Sequence, residues 1–471
     1  MVFSDLFFIY FFLPLCLICY YITKNIRIRN IVLTIFSLFF YSFGEPVWVG
    51  LLIISALVDY CNGLFIEKHR GRKTAVLGVV SSLVINLGIL FTFKYSGFLI
   101  SNINAAAGTA LPVPSFALPI GISFYTFQTI SYTVDVYRGK AEVQHDFLDF
   151  LLYVSMFFQL VAGPIIRYSD ISKEISDRTV TADDLGSGLF RFIWGFGKKV
   201  LIANTVGAIA ADRLTFTDAP DSVLAAWAGV LMFSLQIYFD FSGYSDMAIG
   251  LGRMFGFHFP ENFNYPYISR SASEFWRRWH ISLGTFFRDY VYIPMGGNRR
   301  HQLLNIAVVW FLTGLWHGAS WNFILWGLYF GVLVSLEKVF LGKLLEKLPS
   351  FLSHVYLIFA ALFGWALFYF TELDKLGKCL SAMFGGGGVP LYDAITLSDL
   401  KTNVFVIIAA VILCCPLYSK LEEKLYDAGM KSSKLYIPAS AAMTLAACAV
   451  LIISSILLVG KSYNPFIYYR Y

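Results

Sequence analysis

Residues 274–322 read EFWRRWHISLGTFFRDYVYIPMGGNRRHQLLNIAVVWFLTGLWHGASWN, and this stretch decides the fold class. Its apolar run, 305–316, can be covered by a bilayer and ends directly before His317, while His280 lies beside an arginine-rich border. An ionisable side chain inside a span is costly, so it normally faces a cavity or a polar partner and is a candidate functional residue. A helix-packing histidine bonded to a carbonyl is the structural alternative for His317.

The composition of the whole chain excludes a soluble globular protein. Of 471 residues, 58% are hydrophobic and only 14% are charged, compared with about 25% charged in soluble domains. At about 20 residues per crossing, the apolar content predicts about ten to twelve spans. We therefore predict an all-α, polytopic integral membrane protein, one domain over 1–471, with additional re-entrant or interfacial helices around a central tunnel.

Charged loops predict the topology. The apolar run 6–22 lacks a basic flank before it and a small-residue cleavage site after it, which favours a retained span over a signal peptide. Further spans are predicted at about 30–43, 47–65 and 75–99. Because basic loops stay in the cytoplasm, both chain termini are predicted to lie outside. The net charge of +6 is small, and no nucleic-acid partner is expected.

Polar residues interrupt two apolar segments. Pro119 and Gly121 open the segment 118–138, which predicts a broken, cavity-lining helix or a tightly packed interior one. Asp240 and Asp246 lie close to bilayer depth and could orient histidines, pair with arginines 277 or 278, or act as acids. The structural alternative is a pair of salt bridges that lock helices. We predict no metal site, because no His/Cys cluster with ligand spacing accompanies the aspartates.

The region 274–301 is the most basic part of the chain and is predicted to be cytoplasmic. Its candidate substrate-binding residues are Arg277, Arg278 and Arg288. Their guanidinium groups match phosphate geometry and could receive the phosphates of an acyl-coenzyme A. The same arginines also satisfy the positive-inside rule without any ligand.

The residues around His317 indicate a pocket. The stretch 315–322, LWHGASWN, surrounds the imidazole with the indoles of Trp316 and Trp321 and with Asn322, which could orient a substrate. Gly318 lets another group approach closely.

Several motifs in fixed order resemble the membrane-bound O-acyltransferase family, in particular its bacterial branch that acetylates polysaccharides such as alginate. The matching segments are 119–128 PIGISFYTFQ, 275–280 FWRRWH, 287–294 FRDYVYIP, 296–299 GGNR and 315–318 LWHG. The resemblance implies that His317 is the catalytic histidine and that His280 is the second polar residue of the same pocket. The core of the enzyme is then expected at about 115–340, followed by helices in 353–460.

The last residues, 464–471, read NPFIYYRY. They fit an aromatic belt that closes the last span. They are also similar to a short aromatic and arginine terminus of bacterial relatives, in which a tyrosine hydroxyl takes part in acyl relay. That similarity makes Tyr468 the candidate relay residue.

The expected activity is O-acyl transfer, with acetyl-coenzyme A as co-substrate and no bound cofactor. His317 is expected to act as general base on a hydroxyl of a cell-surface polysaccharide or peptidoglycan. Trp316, Trp321 or Asn322 are candidates for stabilising the oxyanion. His280 is expected to shape the cytoplasmic mouth of the pocket or to polarise the thioester.

The expected location is the bacterial cytoplasmic membrane, crossed several times. An extracytoplasmic acyltransferase or esterase-like partner and a glycan acceptor are expected to receive the group. One rival activity keeps the family and transfers D-alanyl groups from a carrier protein to teichoic acid. A second rival is a transporter, which the broken segments suggest, but no inverted pair of halves is apparent.

Overall fold

The computed structural model describes residues 1–160, 163–417, 419–420, 424, 433–460 and 466–467. All regular elements among these residues are helices, as predicted. The chain forms two compact units. The first contains Met1–Phe192 and Ser245–Glu261, together with the described residues of the tail. The second contains Ile193–Tyr244 and Asn262–Ser462.

The first unit is built mostly from apolar helices, and the most polar of them is Tyr168–Ser176. Its α-helices are Leu13–Tyr21, Ile26–Gly44, Val49–Lys68, Val76–Leu90, Ser96–Ala107, Ile122–Tyr137, Phe147–Ser155, Phe157–Leu160, Tyr168–Ser176 and most of Ala182–Gly197. Asn25 caps the second helix, because its side chain accepts hydrogen bonds from the backbone N–H groups of Arg27 and Ile28.

The second unit carries both histidines singled out above. Its α-helices are Asn204–Leu214, most of Val223–Met254, Ala272–Arg278, Ile281–Phe287, Gln302–His317, Trp321–Leu336, Gly342–Lys347, Ser350–Tyr369, Leu373–Met383, Ala394–Thr402, Val404–Leu413 and Ser433–Leu458. Short π-helical turns extend several of these helices, among them Glu337–Leu341.

Seven helices of the described chain are long and apolar enough to cross a membrane, and the bent pair Ala394–Thr402 and Val404–Leu413 makes an eighth. Two shorter apolar helices, Phe8–Tyr21 and Gln302–His317, accompany them. The spans predicted at 30–43 and 47–65 correspond to Ile26–Gly44 and Val49–Lys68. Each observed helix is longer than its predicted span, because helices continue past the apolar run into polar flanks.

The segment 118–138 contains an interior helix of the first unit. Gly121 has a left-handed backbone, φ +77°, and the helix Ile122–Tyr137 begins directly after it. Of its 16 residues, 14 are buried. Some buried polar groups nearby are hydrogen-bonded: Asn86 Nδ2 donates to the Asp59 carboxylate at 2.6 Å. Residues 109–119 are not helical and the helix after Gly121 is unbroken, so the structure matches the tightly packed interior helix and not the broken, cavity-lining one.

Candidate active site

His317 is the last residue of the helix Gln302–His317, where the chain turns into Trp321–Leu336. The two helices form a hairpin that packs backbone against backbone. A Cβ added at Gly327 would lie 3.1 Å from the backbone of Gly314 and would also meet the carbonyl of Trp310. Glycines permit this close approach, which is a common device between membrane helices. It fixes His317 against the second helix of the hairpin.

Aromatic rings enclose the buried imidazole of His317. The centroid of its ring lies 5.0 Å from that of Trp316, 4.9 Å from that of Trp326 and 5.2 Å from that of Phe368. We refer to these three rings as the His317 cage. The cage excludes water from the imidazole, and electrostatic interactions are stronger in such a dry environment.

Asn322 is fully buried and joins two helices beside the cage. Its Nδ2 donates to the carbonyl oxygen of Phe368 at 3.2 Å. Its Oδ1 has no hydrogen-bond partner among the described residues. The amide therefore keeps an acceptor for a further polar group, as expected for a substrate-orienting residue. Trp321, in contrast, is 53% exposed and lies outside the cage.

Most of the tryptophans of the chain gather around this site. Six of the ten form one continuous cluster: Trp276, Trp279, Trp310, Trp316, Trp326 and Trp365. The Nε1 atoms of Trp276 and Trp326 are buried, with no hydrogen-bond partner among the described residues. Their rings lie 5.3 Å apart. These indoles can therefore donate to an oxygen that develops negative charge.

His280 joins the helices Ala272–Arg278 and Ile281–Phe287 in a left-handed backbone conformation, φ +44°. Such a conformation is strained for a non-glycine residue and is often found at functional sites. Two backbone hydrogen bonds to residues 262–264 hold the chain on either side of His280. Ile281 N donates to the Asn262 carbonyl at 3.0 Å, and Asn264 N donates to the Arg278 carbonyl at 2.9 Å.

The side chain of His280 is buried among aromatic rings and one amide. Its Nδ1 lies 3.2 Å from Asn262 Oδ1, and its ring meets Phe241 edge to face at 4.7 Å between centroids. Burial lowers the pKa of His280 to about 3, so the ring is neutral at neutral pH. His280 lies outside the helices that are long enough to span the membrane.

Trp316 contacts both histidines. Its ring centroid lies 6.0 Å from that of His280 and 5.0 Å from that of His317. The structure therefore brings the two histidines, 37 residues apart in the sequence, to one indole in the second unit. The motif resemblance implied one pocket for both histidines, and their catalytic roles stay a prediction.

Glu337 positions the segment that leads to His280. Its buried carboxylate accepts hydrogen bonds from Ala272 N at 2.6 Å and Ser273 N at 2.8 Å, at the start of the helix Ala272–Arg278. Tyr356 donates to the same carboxylate at 3.0 Å. Because Glu337 directly follows the helix Trp321–Leu336, one helix supports both the His317 cage and the approach to His280.

The two aspartates predicted to bind substrate form ion pairs. In the second unit, Asp240 lies 2.5 Å from Lys199 Nζ, and both side chains are buried. In the first unit, Asp246 lies 2.9 Å from Arg191. These partners differ from arginines 277 and 278 and correspond to the helix-locking alternative.

The three predicted phosphate-binding arginines lie in the second unit. Arg277 is exposed. Arg278 pairs with Glu274 at 2.9 Å, and Arg288 pairs with Asp289 at 2.7 Å. The Arg278 pair is half-buried, and Arg288 is exposed whereas Asp289 is largely buried.

Tyr468 lies outside the described residues. Of the aromatic tail, Phe466 and Ile467 are described, and both are buried. Among the described residues, no group of three or more His, Cys, Asp or Glu side chains is arranged to hold a metal ion.

Sequence reasoning missed several residues of this site, namely Trp276, Trp326, Phe368 and Asn262. Trp326 follows Asn322 by four residues, so both lie on one helix face, and this spacing was a usable signal. Phe368 and Asn262 reach the histidines only through tertiary packing.

Residues 33–374 match the model of MBOAT, the membrane-bound O-acyltransferase family. The chain is 36% identical to the probable alginate O-acetylase AlgI of Azotobacter vinelandii over the full length of both chains. It is 34% identical to the peptidoglycan O-acetyltransferase of Helicobacter pylori, covering 83% of this chain and 81% of that one.

A third relative is named for the rival activity, D-alanyl transfer to teichoic acid. The chain is 32% identical to the teichoic acid D-alanyltransferase of Bacillus subtilis, over 49% of this chain and 62% of that one. The family match covers both histidines and the whole His317 cage. The protein is therefore a multi-pass membrane protein that belongs to the membrane-bound O-acyltransferase family, and it is an O-acyltransferase.

Proposed function

We propose that this enzyme transfers an acetyl group from a cytoplasmic thioester to a hydroxyl of a polysaccharide or peptidoglycan outside the bacterial cytoplasmic membrane. The observation that carries the proposal is the buried His317, which lies in a cage of aromatic rings at a helix end and shares Trp316 with His280. The two full-length or nearly full-length relatives named above are O-acetylating proteins, which supports acetyl as the acyl group.

His317 is the general base in this proposal. It takes the proton of the acceptor hydroxyl while the hydroxyl oxygen attacks the thioester carbonyl carbon. The carbon–oxygen bond forms, the carbon–sulfur bond breaks, and the leaving thiolate takes the proton back from the imidazolium. Positioned proton transfer of this kind typically contributes about 10²- to 10⁴-fold to the rate.

The oxyanion of the tetrahedral intermediate is stabilised by indole donors. Trp326 is in ring contact with His317, and the buried Nε1 atoms of Trp326 and Trp276 have no partner among the described residues. Donors that are already oriented stabilise the developing charge without reorganisation. Asn322 orients the acceptor through its open Oδ1.

The donor is acetyl-coenzyme A, which binds through its phosphates at Arg277, Arg278 and Arg288. This assignment rests on their exposed, basic surroundings and on the match between guanidinium and phosphate. In a relay form of the same step, the attacking hydroxyl is that of Tyr468, in the tail, and an extracytoplasmic acyltransferase or esterase-like partner then carries the acyl group to further glycan hydroxyls. Direct transfer to the glycan needs neither the relay nor the partner.

The test compares two histidine-to-alanine variants of the purified enzyme. His317→Ala is expected to reduce release of free coenzyme A in the presence of acceptor by at least about 10²-fold, since the base is lost. His145→Ala is the matched control, because that histidine is exposed in the first unit, and it is expected to retain wild-type activity. Wild-type turnover by a correctly folded His317→Ala variant would refute the proposal.

D-alanyl transfer is the second candidate, and the teichoic acid relative supports it. Wild-type enzyme is assayed with acetyl-coenzyme A and, separately, with a D-alanyl-charged carrier protein. Turnover of the charged carrier alone would replace the acetyl assignment. A transporter would consume neither thioester.

A further inference from the structure

Asn262 presents its oxygen, and not its amide nitrogen, to His280. The backbone N–H of Ser282 lies 3.2 Å from Asn262 Oδ1. A backbone N–H can only donate, so the atom that it contacts must be the oxygen. The Ser282 hydroxyl also donates to Oδ1, at 2.9 Å. These two hydrogen bonds therefore fix which end of the Asn262 amide faces His280.

The orientation of Asn262 fixes the tautomer of His280. His280 Nδ1 lies 3.2 Å from the same Oδ1. Because that oxygen only accepts, Nδ1 must carry the proton. In a neutral imidazole the other nitrogen then has the lone pair, so His280 Nε2 is a hydrogen-bond acceptor.

This acceptor is buried and lacks a protein donor. His280 Nε2 has no hydrogen-bond partner among the described residues, and the rings of Phe241 and Phe263 pack against the imidazole. An unsatisfied buried acceptor is costly, and the left-handed backbone of His280 adds strain. Both costs are typical of a residue that is kept for a ligand.

The chemistry of Nε2 determines which ligand group it can take. A lone pair cannot donate to a thioester carbonyl, so this tautomer does not polarise the donor, contrary to our sequence-based expectation for His280. Since the pKa of His280 is lowered to about 3 by burial, the ring is also a poor base at neutral pH, because efficient bases have pKa values near the operating pH. His280 Nε2 can therefore only accept a hydrogen bond from an N–H or O–H group of the ligand.

We propose that Asn262 is a positioning residue that holds His280 as the Nδ1–H tautomer, so that His280 Nε2 accepts an amide N–H from the pantetheine arm of the thioester donor. His280 follows the arginine-bearing helix Ala272–Arg278 by two residues, at the end of the site where the donor enters in our proposal. Coenzyme A and the prosthetic group of a carrier protein share this amide chemistry. The inference rests on the proposed acyl transfer.

The experiment uses two small donors that differ in one group. S-(2-acetamidoethyl) thioacetate has an amide N–H at the position where S-(2-acetoxyethyl) thioacetate has an ester oxygen. One hydrogen bond between neutral groups corresponds to about 3- to 10-fold. The full-length wild-type enzyme in detergent is therefore expected to use the amide donor about 3- to 10-fold better in kcat/KM.

Two variants test whether the preference for the amide donor depends on Asn262 and His280. Asn262→Leu leaves the tautomer free and is expected to bring the amide-to-ester ratio to about 1. Asn305→Leu is the control, because Asn305 is a buried asparagine of the same unit that donates to the Gly297 and Arg300 carbonyls. It is expected to keep the wild-type ratio, even if it lowers the yield of folded protein.

A pH series on Asn262→Asp gives a readout that a merely structural role would not change. A carboxylate beside His280 raises the pKa of that imidazole, so the ring gains a proton at Nε2 as the pH falls. The variant is expected to keep the amide preference at high pH and to lose it at low pH, while the wild-type ratio stays flat. The groups that face the ring are Phe241, Phe263, Trp316, Asn262 and Ser282.

Equal use of the two donors by wild-type enzyme would overturn the inference and leave the proposed acyl transfer intact. A full preference in folded Asn262→Leu, or the same loss in Asn305→Leu, would also overturn it. If Asn262→Leu does not fold, the wild-type ratio and the pH series on Asn262→Asp decide. Absence of turnover with any thioester would instead reject the proposed function itself.

Discussion

The indole N–H groups of the cage can be separated from its aromatic packing by single substitutions. Trp326→Phe keeps an aromatic ring against His317 but removes the N–H that has no partner among the described residues. If that N–H stabilises the oxyanion, kcat should fall by about 10²-fold, as for other single oxyanion donors. KM for the donor should change much less, because the contact strengthens in the transition state.

The matched control for Trp326→Phe lies on the same helix. Trp321 is largely exposed, so Trp321→Phe is expected to leave kcat within about twofold of wild type. Steady-state kinetics on purified protein measures both variants. Equal kcat values for Trp326→Phe and wild type would show that the indole N–H takes no part in the chemistry.

Individual residues were predictable where they violate the chemistry of their surroundings. His317 ends an apolar run and His280 lies beside arginines, so both could be recognised as candidate functional residues from the sequence. Asn262 could not, because an asparagine in a polar segment has no such contrast. Its proposed role depends on a side-chain contact between residues that are 18 positions apart, and no local pattern encodes that contact.

At the scale of elements, the hairpin of Gln302–His317 and Trp321–Leu336 depends on two glycines. A Cβ at Gly314 would meet the carbonyl of Phe323 and approach the Cα of Gly327 to 3.3 Å. Gly314→Ala must therefore push the helices apart, at a cost of about 1–3 kcal/mol. We expect a lower Tm in detergent and a loss of acyl transfer, because His317 is carried at the end of the displaced helix.

A glycine in open space provides the comparison for this prediction. Gly88 lies in the helix Val76–Leu90, and a Cβ there meets nothing within 4 Å. Gly88→Ala is expected to leave Tm unchanged or to raise it, since alanine favours helices over glycine by about 1 kcal/mol. Similar Tm values for Gly314→Ala and Gly88→Ala would contradict the close packing of the hairpin.

His258 joins two helices of the first unit and makes their stability depend on pH. It lies 2.8 Å from Glu174, in Tyr168–Ser176, and 3.3 Å from Asp184, in Ala182–Gly197. The hydrogen bond to Glu174, assisted by Asp184 and opposed by burial, raises the pKa of His258 above its usual 6.5. A raised pKa stabilises the fold fully below pH 6.5, and this stabilisation is lost as the pH rises through the folded-state value.

If His258 has this role, the dependence of Tm on pH should differ between the wild type and a variant without the imidazole. Between about pH 6 and pH 9, the Tm of wild type should fall more steeply than that of His258→Gln. Glu174→Gln should reduce the slope as well, because it removes the first partner of the imidazole. Thermal unfolding in detergent across this range measures the effect, and identical slopes in the three proteins would contradict it.

Apolar runs predicted the helices well, and their ends less well. The predicted span 75–99 corresponds to the longer apolar segment Lys73–Ala107, in which helices Val76–Leu90 and Ser96–Ala107 flank a π-helical turn. Hydropathy locates the part of a helix that is apolar, whereas hydrogen bonding and capping determine where the helix ends. The start of the helix at Ile122 was predictable, because the proline and the glycine just before it disfavour a helix there.

For the whole molecule, composition predicted the class correctly. Apolar content predicted about ten to twelve spans, and the described residues contain seven long apolar helices, an eighth if the bent pair is one span, and two shorter apolar helices. Part of the apolar sequence forms shorter helices, such as Gln302–His317. That helix ends at His317, where the chain turns into Trp321–Leu336.

In the proposed reaction, the buried imidazole of His317 acts as the base while an acetyl group passes from a thioester on one side of the membrane to a hydroxyl on the other. Sealed proteoliposomes that contain the enzyme test it directly, with acceptor polysaccharide inside and labelled acetyl-coenzyme A outside. Labelled polysaccharide is expected in vesicles with wild-type enzyme, and none is expected in vesicles with His317→Ala. Labelling by His317→Ala, or labelling by wild type only when donor and acceptor share one compartment, would contradict it.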